Sequence, residues 1–448
     1  MESPTRQPIV VISTRGADRI RAGHVWVYRS DVVEATGIAP GAVVKVVEHG
    51  GRGRPPYTLG NAFYSTASEI AIRMISRKPV GDLEQLVRER IRASVAYRER
   101  FVRDTNAYRV IFSEGDFLPG LIVDRYNDVL SVQVLSQAMD TEPMRRVFLS
   151  ELQGALSPAA IVERVDPRVR KLEQLPDRQS GVVWINPALP ITPSRDGGEK
   201  PASSGREAGS SEWQGVKTKT GEDGATDDTA ATAAAPPTRT ELRINGVRFI
   251  YDALGGQKTG AFLDQRENYA AAEKYARGEA LDVFTYQGGF ALHLARVCDK
   301  VTGVDSSRPA LEAADQNAAL NGWDLEWIEA NAFDLLRDYS DAGRAYDTII
   351  LDPPAFAKSR QNRETAIRGY KELNLRALKM LRAGGVLVTC SCSYHVSAPE
   401  LMEVVSSAAR DSHRIIRLLE NRGQSNDHPS VLGIPETAYL KCLISVVS

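Results

Sequence analysis

Leu281-Asp282-Val283-Phe284-Thr285-Tyr286-Gln287-Gly288-Gly289 is an apolar run that breaks into a turn closed by two adjacent glycines. The pattern predicts a buried strand over 280–284, a tight turn, and a helix beginning near Phe290. Glycine lets a backbone approach a ligand with no Cβ in the way. A second strand, 300–305, ends at Asp305, 23 residues after Asp282. A carboxylate there is placed to accept bonds from two ribose hydroxyls. Strand and helix patterns then alternate through 280–448, the signature of a doubly wound sheet. The expected fold class is α/β, with a Rossmann-like sheet in the carboxyl-terminal part.

Nicotinamide dinucleotide sites use the same acidic device. Two details oppose that cofactor: the turn lacks Gly-x-Gly-x-x-Gly, and no later feature resembles a hydride-transfer site. Asn331, with Ala332 beside it, follows a strand over 325–329. It has two readings of equal weight, a contact to an adenine edge and a cap for a helix over 332–340.

Two further strands end in reactive groups. Thr348-Ile349-Ile350-Leu351 runs into Asp352-Pro353-Pro354-Ala355-Phe356, and Val386-Leu387-Val388 runs into Thr389-Cys390-Ser391-Cys392-Ser393. Open α/β sheets bind ligands at the carboxyl ends of their strands, so carboxylate and thiol are expected in one crevice. Two prolines stiffen the loop carrying Asp352 and remove two backbone donors, which suits a platform for a flat base; the plainer alternative is a strand-ending turn. Cysteines two apart on a strand face the same side, so geometry alone does not choose between Cys390 and Cys392. Cys392, nearer the strand exit, is preferred. Cys390 and Cys298 read as buried, inert cysteines.

With the cofactor turn, that pairing suggests a methyl-transfer site with a cysteine nucleophile, the chemistry that carbon 5 of cytosine requires. Carbon 5 of cytosine is a weak nucleophile until a thiolate adds at carbon 6 and makes it enamine-like. Loss of the carbon 5 proton then expels the thiolate, splitting one hard step into easier ones. A free thiol of pKa about 8.5 is only a few per cent thiolate at neutral pH, so neighbours must help. Asp352 is placed to hydrogen-bond the base near N3.

At 448 residues, 42% hydrophobic and 25% charged, the chain has the composition of a globular protein of two or three domains. Its amino terminus, Met1 to Arg6, carries no secretory pattern, and no run reaches the length of a membrane span. Four cysteines make no disulfide framework, so a reducing cytoplasm is expected. Cys-x-Cys without a second pair or nearby histidines is a poor zinc site, and no metal is expected. Net charge is −1, yet residues 1–110 carry 18 Lys and Arg against 11 Asp and Glu. That surplus suits an RNA-facing surface; a solvated helix face with Arg88, Arg90, Arg92, Arg98 and Arg100 explains it equally well.

Residues 190–238, rich in Gly, Ser, Thr, Ala, Asp and Pro with Trp213 as the only aromatic, read as a disordered insertion. Before it, short alternating runs over 8–78 predict a β-rich module. A helix over 82–103, strands near 108–113, 120–124 and 129–135, a helix near 142–153 and a strand near 160–164 follow. Beyond it, Leu242 to Ile244, Asn245-Gly246 and Val247 to Ile250 predict a hairpin. The expected units are 1–78, 79–189, the insertion 190–238, and 239–448.

Several segments in order resemble the bacterial 23S rRNA 5-methylcytosine methyltransferases of the RlmI-like kind. They are Arg21-Ala22-Gly23-His24-Val25-Trp26-Val27-Tyr28, Glu114-Gly115-Asp116 with Leu118-Pro119-Gly120-Leu121 and Val123-Asp124-Arg125-Tyr126, Gly256 to Arg266, Arg368 to Asn374, and Asp427-His428-Pro429. The resemblance implies a PUA RNA-binding domain over 1–78, a small α+β central domain and a class I S-adenosylmethionine (SAM) domain. It implies cofactor contacts at Phe262, Gln265, Arg266, Phe284, Tyr286, Gly288, Asp305, Asn331, Ala332 and Asp352. The implied nucleophile is Cys392, with Asp352 its catalytic partner and large-subunit rRNA the substrate. Departures are the insertion and Asn331, where an acidic residue is usual; unlike the two-cysteine RNA cytosine methyltransferases, the chain has no cysteine after Pro353. The group that removes the carbon 5 proton is thus unassigned. Two other readings are an rRNA methyltransferase acting on a guanine ring nitrogen, which needs no thiol, and an inactive RNA-binding assembly factor, against which the set Asp305, Asp352 and Cys392 argues. Oligomeric state is not legible.

Overall fold

The computed structural model describes residues 7–50, 57–188, 238–255, 261–356 and 360–448. The terminus Met1 to Arg6, the expected insertion up to residue 237 with Trp213, and Gly256 to Gly260 lie outside the described residues.

The carboxyl-terminal sheet positions the candidate site. Its strands are β1 (Glu279–Val283), β2 (Lys300–Asp305), β3 (Glu326–Glu329), β4 (Tyr346–Leu351), β5 (Leu381–Ser391), β6 (Ile416–Arg422) and β7 (Lys441–Val447). They lie in the order β3-β2-β1-β4-β5-β7-β6. The first five are parallel, and β7 runs antiparallel between β5 and β6. The central strands are buried on both faces, which is why they read as continuous apolar runs. Register aligns Val283 with Val304 and Leu351, and Leu351 with Thr389. Phe284, Asp305, Asp352 and Cys390 therefore follow along one edge of the sheet.

Helices cover both faces. Arg363–Met380 and Ala398–Asp411 pack Tyr370, Leu373, Leu378 and Leu401 against one. The second of these helices starts with a capping box between Ser397 and Glu400. The core on the other face holds Tyr269, Phe290 and Leu292, and continues through a hairpin into the central unit. The hairpin, Arg239–Ile244 with Val247–Asp252, turns at Asn245 (φ 49°) and Gly246 (φ 83°), as the Asn-Gly signal predicts. Its Tyr251 stacks on Tyr126 of the central sheet at 3.7 Å.

That five-stranded central sheet orders Gly181–Ile185, Ala160–Glu163, Val129–Val134, Leu121–Tyr126 and Ala107–Phe112. Among the described residues the amino-terminal unit has a six-stranded sheet and one α-helix, Thr14–Arg21. It docks on the central unit through buried Arg73 and Glu173, 2.6 Å apart. Gly41 (φ +73°) lies so close to the backbone at Gln137 that a Cβ would approach it to 2.8 Å. The loop between β6 and β7 touches every unit. Glu436 meets His24 at 2.9 Å, the Asp427 carbonyl accepts from Arg98 at 2.7 Å, and the Asp427 carboxylate takes the Arg109 amide at 2.8 Å.

Candidate active site

The turn after β1 bends because Phe284 and Thr285 both donate their amides to the Val304 carbonyl, at 2.9 and 3.0 Å. Phe284 (φ 68°) and Tyr286 (φ 51°) adopt the left-handed conformation without being glycine, a strain that clusters at functional sites. Gly288 (φ 84°) caps the helix Gly289–Leu294. Below the turn, buried Asp282 accepts from the Thr285 hydroxyl at 2.6 Å and the Ala291 amide at 2.9 Å. Burial pushes its carboxyl up to about 7.

Asp305 accepts from the Tyr286 amide at 3.0 Å and the Ser307 amide at 2.9 Å, one bond per oxygen. Spare lone pairs remain on both oxygens. Asp352 accepts from Gln265 Nε2 at 2.9 Å, and the Gln265 carbonyl accepts from Asn268 at 2.7 Å, which fixes the amide's direction. Burial, reinforced by Asp264 and Asp282, pushes Asp352 up to about 8. The shift favours its neutral, proton-donating form at neutral pH.

Cys392 lies just past the end of β5 and is half-buried, whereas Cys390 is fully buried opposite Cys442. The same-face rule stops at the end of the strand, so the structure separates the two thiols. Tyr370 holds the loop: its hydroxyl lies 2.9 Å from both Ser391 Oγ and Ser393 Oγ, bracketing the cysteine. Burial, then Asp352 and Asp264, push the Cys392 thiol up to about 11, while Lys441 acts the other way. Lys441 is itself buried and donates to the carbonyls of Ser393 (2.7 Å) and Tyr439 (2.9 Å). Burial holds its amine down to about 8.

A cavity of about 750 Å³ joins these groups, within the range of small-molecule sites. Of the expected residues, Phe262, Gln265, Phe284, Tyr286, Asp305, Asp352 and Cys392 line it. Gly288, Asn331, Ala332 and Arg266 are not among its lining residues. Asn331 is exposed and caps the helix Ala332–Asp341, accepting from the Phe333 amide at 2.9 Å; Ala332 is buried against Leu335 and Leu336. Arg266 points the other way, pairing with Asp427 at 3.2 Å, because the seam with the central unit claims its charge. Sequence reading missed Tyr269, Tyr439, Lys441 and the site role of Asp264. A lysine opening an apolar strand reads as a solvated end, and Tyr439 meets Asp264 across 175 residues.

The lining tests the cofactor. It includes Asp264, Asp305 and Asp352 but no lysine or arginine among the described residues. An acidic, aromatic-walled cavity suits a nucleoside bearing a sulfonium cation and opposes a pyrophosphate. Residues 224–443 match the S-adenosylmethionine-dependent methyltransferase family, and residues 10–77 match the PUA-like domain. The sequence is 33% identical to Ribosomal RNA large subunit methyltransferase I of Shewanella denitrificans, covering 95% of each chain. It is 31% identical to the protein of that name from Escherichia coli, over 93% of this chain and 94% of the other. The chain belongs to this family. Its fold matches a Streptococcus mutans structure described as a SAM-dependent methyltransferase, with TM-score 0.73, 16% identity, and 98% of this chain and 100% of that chain covered. The protein is thus a SAM-dependent methyltransferase with a PUA-like amino-terminal domain. Among the described residues no cluster of His, Cys, Asp and Glu could hold a metal, and no helix is long and apolar enough to cross a membrane.

Proposed function

We propose that this enzyme methylates carbon 5 of one cytosine in large-subunit (23S) rRNA, in the cytoplasm, through a covalent bond to Cys392. The observation that carries the reading is the meeting of Cys392, Asp352 and Asp305 in one cavity. When bound, SAM supplies an electrophilic methyl group. Phe262, Phe284 and Tyr286 wall the cofactor's place, Asp305 takes its ribose hydroxyls, and Gln265 and Asp352 border its reacting end. Cys392, its proton released to solvent, adds as thiolate to carbon 6 of the cytosine. Asp352, held as an acid, donates to N3 and stabilises the charge that this addition places on the ring. The relatives' shared name and the basic surplus of residues 1–110 support the choice of rRNA as partner.

The test is a map of 5-methylcytosine in 23S rRNA from cells with the gene, without it, and with Cys392→Ala. One cytosine loses its methyl group in the last two strains. An unchanged map removes the cytosine assignment, and a mark that survives Cys392→Ala removes the covalent route.

A further inference from the structure

The methylated adduct must lose its carbon 5 proton, and the chain has no second cysteine beside Pro353 to take it. We propose that Asp264 is the general base for that step, an assignment that rests on the cytosine reading above. Asp264 belongs to the short turn Leu263–Gln265, next to the residue that holds Asp352, and it lines the same cavity as Asp352 and Cys392. Its Oδ2 accepts from the Tyr439 hydroxyl at 2.6 Å. Its backbone carbonyl is anchored by the amide (2.8 Å) and hydroxyl (2.9 Å) of Ser425. Among the described residues Oδ1 accepts no hydrogen bond, so one oxygen is fixed and the other is free to take a proton.

The other groups are occupied. Both oxygens of Asp305 take backbone amides at the cofactor turn. Asp352 serves N3, and Cys392 is bonded to carbon 6. The Lys441 amine is turned into the carbonyls of Ser393 and Tyr439 and does not line the cavity. Cys390 is fully buried, and His293 is fully buried against the Gly289 carbonyl.

The step balances. The carbon 5–hydrogen bond breaks and its proton passes to Asp264. The freed electron pair restores the 5,6 double bond, and the carbon 6–sulfur bond breaks to return Cys392 as thiolate. Asp352 recovers the N3 proton, and Asp264 then releases its proton to solvent.

The experiment uses the full-length enzyme, SAM, and 23S rRNA tritiated at pyrimidine carbon 5, prepared from cells lacking the gene. Wild type releases one tritium per methyl transferred. Asp264→Asn transfers one methyl and then stalls as a denaturant-resistant protein–RNA adduct, with tritium release at least about 100-fold slower, the lower end of general-base contributions. Asp264→Glu recovers part of the release. Tritium release from Asp264→Asn at the wild-type rate overturns the assignment. So does loss of methyl transfer without an adduct in a variant that binds SAM normally. Should Asp264→Asn lose SAM binding, Tyr439→Phe decides: methyl transfer persists while release slows about tenfold, the size of the one lost hydrogen bond, and equal rates for both steps overturn the proposal. Wild-type enzyme that methylates this RNA without releasing tritium defeats the cytosine reading instead.

Discussion

Replacing Lys441 with methionine keeps an unbranched stem and deletes the charge that opposes protonation of Cys392. The ammonium bonds the carbonyl of Ser393, the residue next to the cysteine. At roughly 8 Å, about two Cα steps, through an effective dielectric of about 20, a unit charge contributes about 2 kcal/mol, or about 1.5 pKa units. Lys441 is charged below about pH 8, so there the variant's thiolate fraction falls about 30-fold. The assay is the rate of Cys392 alkylation by iodoacetamide against pH, read by peptide mass spectrometry. Buried Cys390 and Cys442 serve as internal controls. In wild type the logarithm of the rate flattens above about pH 8, where Lys441 loses its proton as Cys392 would lose its own. A thiolate beside an ammonium and a thiol beside an amine carry equal numbers of protons, so their ratio no longer depends on pH. The variant's rate climbs with unit slope straight through that range. Curves of the same shape, with rates near pH 7 within about threefold, refute the reasoning if the variant still binds SAM.

Two further outcomes are expected. Asp305→Ala weakens SAM binding about 10- to 100-fold by calorimetry, the size of a lost hydrogen bond to a charged group, while RNA binding is kept; loss of both indicates misfolding. Asp352→Asn abolishes turnover yet stabilises the fold at alkaline pH. The Asp352 carboxyl has its pKa raised to about 8 in the folded chain, so its stability contribution is full below about pH 4 and is lost as pH rises through about 8. The loss is at most about 5 kcal/mol, less because solvent reaches the half-buried carboxyl. Wild-type and variant melting temperatures that fall in parallel between about pH 4 and 8 contradict this.

Much of the sheet was legible because its signals are local. The run Leu281 to Gly289 contains its own strand, turn and glycines, and Asn245-Gly246 states its own hairpin. Short elements were not: the helix Thr14–Arg21, the three-residue strand Val32–Glu34, the helix Pro167–Glu173 and the strand Gly181–Ile185 give too few periods to stand out. Side-chain direction was the other gap. Gln265 and Arg266 are adjacent in one segment, yet one turns to Asp352 and the other to Asp427. Nothing in the spacing tells which way each points; that is decided by Asp427, 161 residues later.

The resting protonation states show what the cavity is built to receive. Three carboxylates face it with no cationic lining residue among those described. Burial first, then Asp352 and Asp264, raise the Cys392 thiol, and burial first, then Asp264 and Asp282, raise Asp352. On the proposed mechanism an elevated Asp352 is useful, because only an acid can donate to N3. An elevated thiol is not useful on its own, because thiolate is then scarce at neutral pH. Burial is the larger cause of the raised thiol, and a positive charge seated in this acidic cavity offsets the part that the carboxylates add. Charge complementarity thus suits the acidic lining to a cationic cofactor.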